Sequence, residues 1–417
     1  MTQKLQPVRG THDILPEEAA KRRALLSACE RVFALYGYGE IATPIFEFSE
    51  VFHRTLGDTS DVVNKETYSF TNRGGESLTL RPEFTASVVR ALISGGLQES
   101  LPFKVFYHGP AFRYERPQKG RLRQFHQVGA ELLGAEGPLA DVEMIALAAQ
   151  ILSSLGLKDA ATLEINSLGD NESRANYRAA LVSYMNDHRG QLSEESLARL
   201  SKNPLRILDS KDENDRRIIA NAPKLGAHFT PLAADFFAEV KASLSALGIA
   251  YTENSRLVRG LDYYSHTVFE FTTDKLGAQG TVLAGGRYDG LVKLMGGNDI
   301  AGVGFAAGIE RLLALMEAAG ASLAAAVTGR IAVIAVDDAQ TQAALLTAHE
   351  LRQRGISAEL ITRGNMGKKM KRAEKFGVSH VVILGEEEVK TGRYTVKNMA
   401  TGEQSAIARE TLAGALA

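Results

Sequence analysis

The segment Phe106 to Gly134 reads FYHGPAFRYERPQKGRLRQFHQVGAELLG. One strand-like run ends in Arg113 and Glu115, a basic loop follows, and a second run begins at Phe125. A hairpin of this kind puts an arginine fork, a carboxylate and an aromatic ring on one side of a sheet. ATP needs those groups: a guanidinium for a phosphate, an acceptor for the adenine amino group and a ring for stacking. Gln127 and Glu131 fall at even spacing from Phe125, so they share its face of the strand.

Other nucleotide and metal signatures are missing. There is no GxxxxGK[ST], and Gly302, Gly304 and Gly308 read GxGxxxG, one residue too long for the dinucleotide fingerprint. These glycines are expected to allow close approach of backbone or ligand between a strand and the helix that follows. The nine histidines include no HExxH, and the single cysteine, Cys29, excludes an internal disulfide or a thiolate cluster. No protein-held metal site is therefore expected.

The elements that must position the hairpin read as α+β. Glu17 to Tyr36 has a helical apolar stripe of Leu25, Cys29, Val32, Phe33 and Tyr36, with Pro16 before it and Gly37 after it. Strands are predicted at 77–80, 103–113, 124–133, 162–167, 267–273 and 303–307, several separated by hairpin-length turns, which points to an antiparallel sheet. A helical period covers 141–155, and another helix is predicted at 309–316. Residues 170–225 are charged, helix-like and poor in strand signals, the pattern of an insertion. After the Ala-rich stretch 318–328, strands at 331–336, 357–361 and 381–384 alternate with helices at 340–353 and 368–376, which predicts a separate small α/β domain. The expected domains are 1–325 and 330–417.

The 417 residues carry 48 basic and 49 acidic side chains, a net charge of −1, which argues against non-specific coating of nucleic acid. Residues 330–417 carry a net +3 and the remainder −4. Basic side chains cluster at Lys104, Arg113, Arg116, Lys119, Arg121 and Arg123, and again at Arg363, Lys368, Lys369, Lys371, Arg372 and Lys375. A polyanion would thus be met locally. The apolar runs are far shorter than a membrane span of about 20 residues, and Met1 to His12 has no signal-peptide core, so a soluble cytoplasmic protein without membrane association is expected.

At this point the residues support a resemblance. Arg113, Glu115 and Phe125 are similar to motif 2 of the class II aminoacyl-tRNA synthetases, Pro44 to the motif 1 proline, and GVGFAAGIERLLAL, with Arg311, to motif 3. RGTHDILP (Arg9 to Pro16), LRPEFT (Leu80 to Thr85), RGLDYYSHTVFEF (Arg259 to Phe271) and AGGRYDGL (Ala284 to Leu291) resemble the signatures of the histidyl-tRNA synthetases. The Arg259 to Tyr264 segment narrows the class to histidine.

The resemblance implies an antiparallel class II catalytic domain, a helical insertion at about 170–225 touching the tRNA acceptor arm, a C-terminal anticodon-binding domain and a homodimer joined through motif 1. It implies that histidine is activated by ATP, with Mg²⁺, and moved to the 3′ end of histidine tRNA. Residue by residue, Glu83 and Thr85 would hold the amino group of L-histidine, Gln127 and Arg259 its carboxylate, and Glu131 and Tyr264 the two ring nitrogens, with Tyr263 and Tyr288 lining the pocket. Arg113 would sit on the α-phosphate, Glu115 on the adenine edge, Phe125 over the ring, and Arg121 and Arg311 toward the outer phosphates. Arg113 and Arg259 would be the catalytic cations, and Gln118, Lys119 and Arg123 would meet the tRNA. The competing implication is a non-catalytic, synthetase-like regulatory subunit of ATP phosphoribosyltransferase, which lacks the C-terminal domain.

Overall fold

The computed structural model describes residues 5–56, 66–116, 121–202, 204–210, 212–257, 263–277, 280–323 and 330–416. The chain divides into two units, 1–324 and 325–417.

The first unit opens with α1 (Pro16–Leu35), whose buried stripe includes Leu25, Cys29, Val32 and Phe33. Phe33 stacks on Phe106 with ring centroids 4.5 Å apart, and burial pushes the Cys29 thiol up to about 12. Then follow β1 (Gly39–Glu40), β2 (Phe46–Phe48), α2 (Ser49–Leu56), β3 (Tyr68–Thr71), β4 (Ser77–Leu80) and α3 (Thr85–Ser94). The long hairpin is β5 (Phe103–Phe112) and β6 (Gln124–Leu133), followed by α4 (Pro138–Ser154) and β7 (Thr162–Ser167). Three helices form the next segment: α5 (Asn171–Asp187), α6 (Glu194–Lys202) and α7 (Glu213–Ala220). The unit closes with α8 (Pro231–Ala246), β8 (Thr252–Glu253), β9 (Ser265–Thr272), β10 (Thr281–Arg287), β11 (Gly302–Gly308) and α9 (Ile309–Ala319).

Eight strands form one sheet in the order β1-β5-β6-β11-β10-β9-β7-β8, antiparallel throughout except for the edge pairs β1/β5 and β7/β8. The antiparallel expectation holds. Side chains alternate across it. Phe106, Val128, Ala130, Leu132 and Phe305 face a layer made by α1, α4, α8 and α9, while Val105, Tyr107, Ala111 and Leu133 face α3 on the other side. A separate sheet, β2-β4-β3, stands beside α3.

Strand β10 and helix α8 were not anticipated. In β10, TVLAGGR, two glycines dilute the strand signal, and pairing with both neighbours supplies what propensity lacks. The segment α5 to α7 has a core of its own around Leu181, Met185, Ile207 and Ile218. At its centre Asp215 accepts hydrogen bonds from the hydroxyls of Ser193, Ser196 and Ser210. Burial disfavours the charge, yet these bonds bring the carboxyl down to about 2.

The second unit is β12 (Ile331–Ala335), α10 (Thr341–Gln353), β13 (Ala358–Ile361), α11 (Met366–Lys375), β14 (His380–Leu384), α12 (Glu386–Thr391), β15 (Arg393–Asn398), β16 (Gln404–Ala408) and α13 (Arg409–Leu416). Strands β13, β12 and β14 are parallel, and β15 and β16 extend the sheet in antiparallel fashion. One member of its basic cluster departs from the surface: Lys369 is 2% exposed, and its Nζ donates to the carbonyls of Ala335 and Val336. Arg363, Lys368, Lys371, Arg372 and Lys375 are exposed.

A buried ion pair fastens the first unit. Arg287, at the end of β10, donates from Nε to Asp141 Oδ1 at 2.8 Å, and both side chains are almost fully buried. Its other nitrogens meet Asp289 at 3.0 Å and the Gly137 carbonyl at 2.8 Å. Removing one partner strands a desolvated charge, so Asp141→Ala is expected to cost about 3–5 kcal/mol of unfolding free energy, read as a lowered urea midpoint with an unchanged slope.

Candidate active site

The α3 side of the large sheet holds a cavity lined by Glu83, Thr85, Tyr107, Arg113, Glu115, Arg121, Phe125, Gln127, Tyr263, Tyr264, Tyr288 and Arg311, together with residues of β10 and β11. Of the residues singled out from the sequence, all of these except Tyr107 come together here. Arg259, Gln118 and Lys119 lie outside the described residues.

Phe125 and Gln127 line the cavity because they alternate outward on β6, and Arg113 leaves the end of β5 beside them. Arg113 Nε donates to the Pro82 carbonyl at 3.0 Å, and its guanidinium carbon is 5.2 Å from the Phe125 ring centroid. Arg121 pairs with Glu115 at 3.1 Å. Arg311, from the first turn of α9, donates to the Thr281 carbonyl. Burial lowers its pKa, and neighbouring Arg121 and Arg113 add to the shift. A guanidinium keeps its proton regardless, so three crowded cations make a site that an anion would relieve.

Arg123 sits nearby but is occupied. Its guanidinium covers Tyr114 at 4.0 Å, Nε donates to the Glu115 carbonyl at 3.2 Å, and its backbone N–H meets the Gly10 carbonyl at 2.8 Å. It thereby ties the N-terminal RGTHDILP segment to the hairpin.

At the other end of the cavity Glu83 precedes α3, and its carboxylate accepts the Ala86 N–H at 3.0 Å. Burial pushes this carboxyl above its ordinary value, while that N–H pulls the other way. Gln127 Oε1 is buried with no hydrogen-bond partner among the described residues, a polar group that a ligand would satisfy. Tyr263 lies edge-on to Tyr288 with centroids 5.9 Å apart and tilted against Tyr264 at 4.8 Å, which gives the cavity an aromatic wall.

Glu131 lies beneath that wall, 1% exposed. It does not pair with Arg113. Three hydroxyls donate to it: Thr85 Oγ1 at 2.7 Å, Tyr107 at 3.1 Å and Tyr288 at 2.5 Å. Room for the carboxyl comes from Gly304 on β11, where a Cβ would fall 1.6 Å from Glu131 Oε2. The expected close approach at Gly304 is therefore to a side chain. Burial drives the Glu131 carboxyl up to about 8, with the three hydroxyls opposing that rise.

Two contributors escaped sequence reasoning. Tyr107 shares strand parity with Arg113, and that period-two relation was the available signal. Glu310 lines the cavity and accepts from Arg22 Nη2 at 2.9 Å and the His126 backbone N–H at 3.0 Å, and His126 Nδ1 lies 2.9 Å from its carboxylate. No local pattern links Arg22 to a residue so distant in the chain. Among the described residues no three His, Cys, Asp or Glu side chains converge to hold a metal ion, and no helix is long and apolar enough to cross a membrane.

The Glu131 pKa has a testable sign. A carboxyl whose folded pKa lies above its unfolded value of about 4.3 favours the folded state while protonated and loses that contribution as pH rises through about 8. Melting temperatures of the unliganded protein at pH 6.5 and 9 should therefore fall more for the wild type than for Glu131→Gln, which cannot titrate.

A family profile described as histidyl-tRNA synthetase matches residues 10–312, and one described as an anticodon binding domain matches residues 330–417. The chain is 56% identical over 403 residues to the histidine–tRNA ligase of Rhodospirillum rubrum, covering 97% of this chain and 96% of that one. It is 52% identical over 413 residues to that of Gluconacetobacter diazotrophicus, covering 99% and 98%. The crystal structure of apo histidyl-tRNA synthetase from S. aureus matches with a TM-score of 0.84 at 36% identity, over 99% of this chain and 100% of that one. Likeness of this extent, running through both units, makes the chain a member of the histidyl-tRNA synthetase family.

Proposed function

We propose that the chain activates L-histidine with ATP and transfers it to the 3′ end of histidine tRNA. The observation that carries this reading is one cavity joining a buried-carboxylate pocket to three anchored arginines, in a chain over half identical to histidine–tRNA ligases along its whole length. The regulatory-subunit alternative is disfavoured by the unit at 330–417, which that reading leaves without a role.

In this reading Glu83 and Thr85 take the amino group of histidine, and Gln127 and Arg259 take its carboxylate. Glu131 and Tyr264 read the ring between Tyr263 and Tyr288. Once ionised, the Glu131 carboxylate offers about four acceptor positions, and hydroxyls fill three, leaving one for an imidazole N–H. Phe125 stacks on adenine, Glu115 meets its amino group, and Arg113, Arg121 and Arg311 take the α-, β- and γ-phosphates of MgATP. Mg²⁺ would enter as part of the MgATP substrate and offset its phosphate charge.

The histidine carboxylate attacks the α-phosphorus, the bond to the bridging oxygen breaks, and pyrophosphate leaves with the electron pair. The nucleophile is already ionised, so no side-chain base is required. Charge gathers on the non-bridging oxygens, and the cations assigned to meet it are Arg113 and Arg259. The ribose hydroxyl of tRNA then attacks the acyl carbon and AMP departs. Gln118, Lys119 and Arg123 are assigned to the acceptor end of the tRNA, the exposed side chains of α11 to the anticodon region, and the cytoplasm to the enzyme's location.

A homodimer is proposed through the small sheet, where Phe46, Phe48 and Phe70 are 46–56% exposed and form an apolar patch.

ATP–pyrophosphate exchange should respond to histidine alone among the twenty amino acids. Arg113→Ala should lower its rate by ~10²-fold or more, the scale of losing one preorganised charge-stabilising donor, about 3 kcal/mol. Exchange with a different amino acid, or none, sinks the reading. Placing lysine at Phe46 and Phe48 together should convert the sedimenting species from dimer to monomer, and an unchanged sedimentation coefficient would remove the proposed interface.

A further inference from the structure

Both ends of the helical insertion meet at one knot beside the histidine pocket. Asp170 caps α5 by accepting from the Ser173 N–H at 2.7 Å, and its other oxygen accepts from Thr230 Oγ1 at 2.5 Å. Thr230 is the residue that caps α8, and its own N–H donates to Ser173 Oγ at 2.8 Å. The start and the end of the inserted segment are thus bonded to each other.

The knot is also bonded to the strand that carries the pocket's aromatic wall. Leu168 N–H donates to the His266 carbonyl at 2.7 Å, and His266 N–H donates to the Gly169 carbonyl at 2.9 Å. His266 has φ +43°, a left-handed conformation that a non-glycine residue holds only when its surroundings enforce it. Its ring stacks on Phe236 of α8 with centroids 4.4 Å apart. The most direct link comes from α5, where Arg174 Nη1 donates to the Tyr264 carbonyl at 2.7 Å and Nη2 to Asn171 Oδ1 at 2.7 Å. One guanidinium therefore spans the first turn of the insertion and the backbone of a pocket tyrosine, a planar fork that fixes both partners at once.

We infer that Arg174 is a positioning residue through which the insertion sets the histidine affinity. This rests on the proposed aminoacylation reading. Arg174 reaches the Tyr264 backbone, so it acts on where the Tyr263–Tyr264 wall stands and leaves the arginines around the phosphates unaffected.

The test is calorimetric titration of L-histidine into the full-length protein. Arg174→Ala should weaken the histidine Kd by about 5-fold or more relative to the wild type, and Arg174→Lys, which keeps one donor for the carbonyl, should lie between them. The KM for ATP in the exchange assay should stay at the wild-type value in both variants. An unchanged histidine Kd in the alanine variant, or a parallel rise in the ATP KM, would overturn the inference. Should the alanine variant not fold, the lysine variant decides alone. Failure of the aminoacylation reading is distinct, because the wild type would then show no histidine-dependent exchange.

Discussion

A carboxyl group buried in the middle of a sheet costs several kcal/mol unless its oxygens are met, and Glu131 is met by hydroxyls from three separate places in the chain. Thr85 opens α3, Tyr107 stands on the adjoining strand β5, and Tyr288 follows β10. Gly304, on the other neighbouring strand, leaves the space that the carboxyl fills. Five segments are thus held in mutual register around two oxygen atoms. Because Thr85 is one of them, the neighbouring Glu83 is fixed as well, and because Tyr288 is another, so is the ring that Tyr263 packs against. This end of the cavity is a consequence of satisfying one buried acid.

The arginine end depends on a different constraint. Arg113 and Arg311 are each anchored on a backbone carbonyl, and Arg121 is anchored on Glu115. Anchoring holds like charges close together despite their repulsion, so little rearrangement is left when an anion enters. Behind them Glu310 gathers Arg22 and His126 and so joins α1, β6 and α9 next to Arg311. The helix layer on one face of the sheet thereby helps to place cations on the other.

The inserted helices stand apart in their physics. Their core is small, and Asp215 with its ring of serines supplies a polar centre where an apolar one would be thin. They return to the catalytic sheet at the Asp170–Thr230 knot, beside Tyr264. A segment attached in this manner can vary in its own packing while remaining registered to the pocket at its root.

Much of this was legible along the chain. Strands 77–80, 124–133 and 162–167 fall where alternation places them, and the apolar stripe of α1 is buried as its helical period requires. The even spacing of Phe125, Gln127 and Glu131 correctly put the three on one face. Residue type and spacing determine such features because they act over neighbours in the chain. Strand β10 was hidden because its hydrogen-bond partners, and not its residues, make it a strand. Lys369 reads as one more surface cation, yet it is buried on the carbonyls of Ala335 and Val336. The hydroxyls around Glu131 and the reach of Arg22 to Glu310 belong to contacts between distant residues, which no local period encodes. Residue types and their periods along the chain establish the chemical inventory and the faces on which it lies, whereas which acid is buried, which cation leaves the surface and what holds each in place follow from packing, because burial and hydrogen-bond satisfaction exist only after distant segments have met.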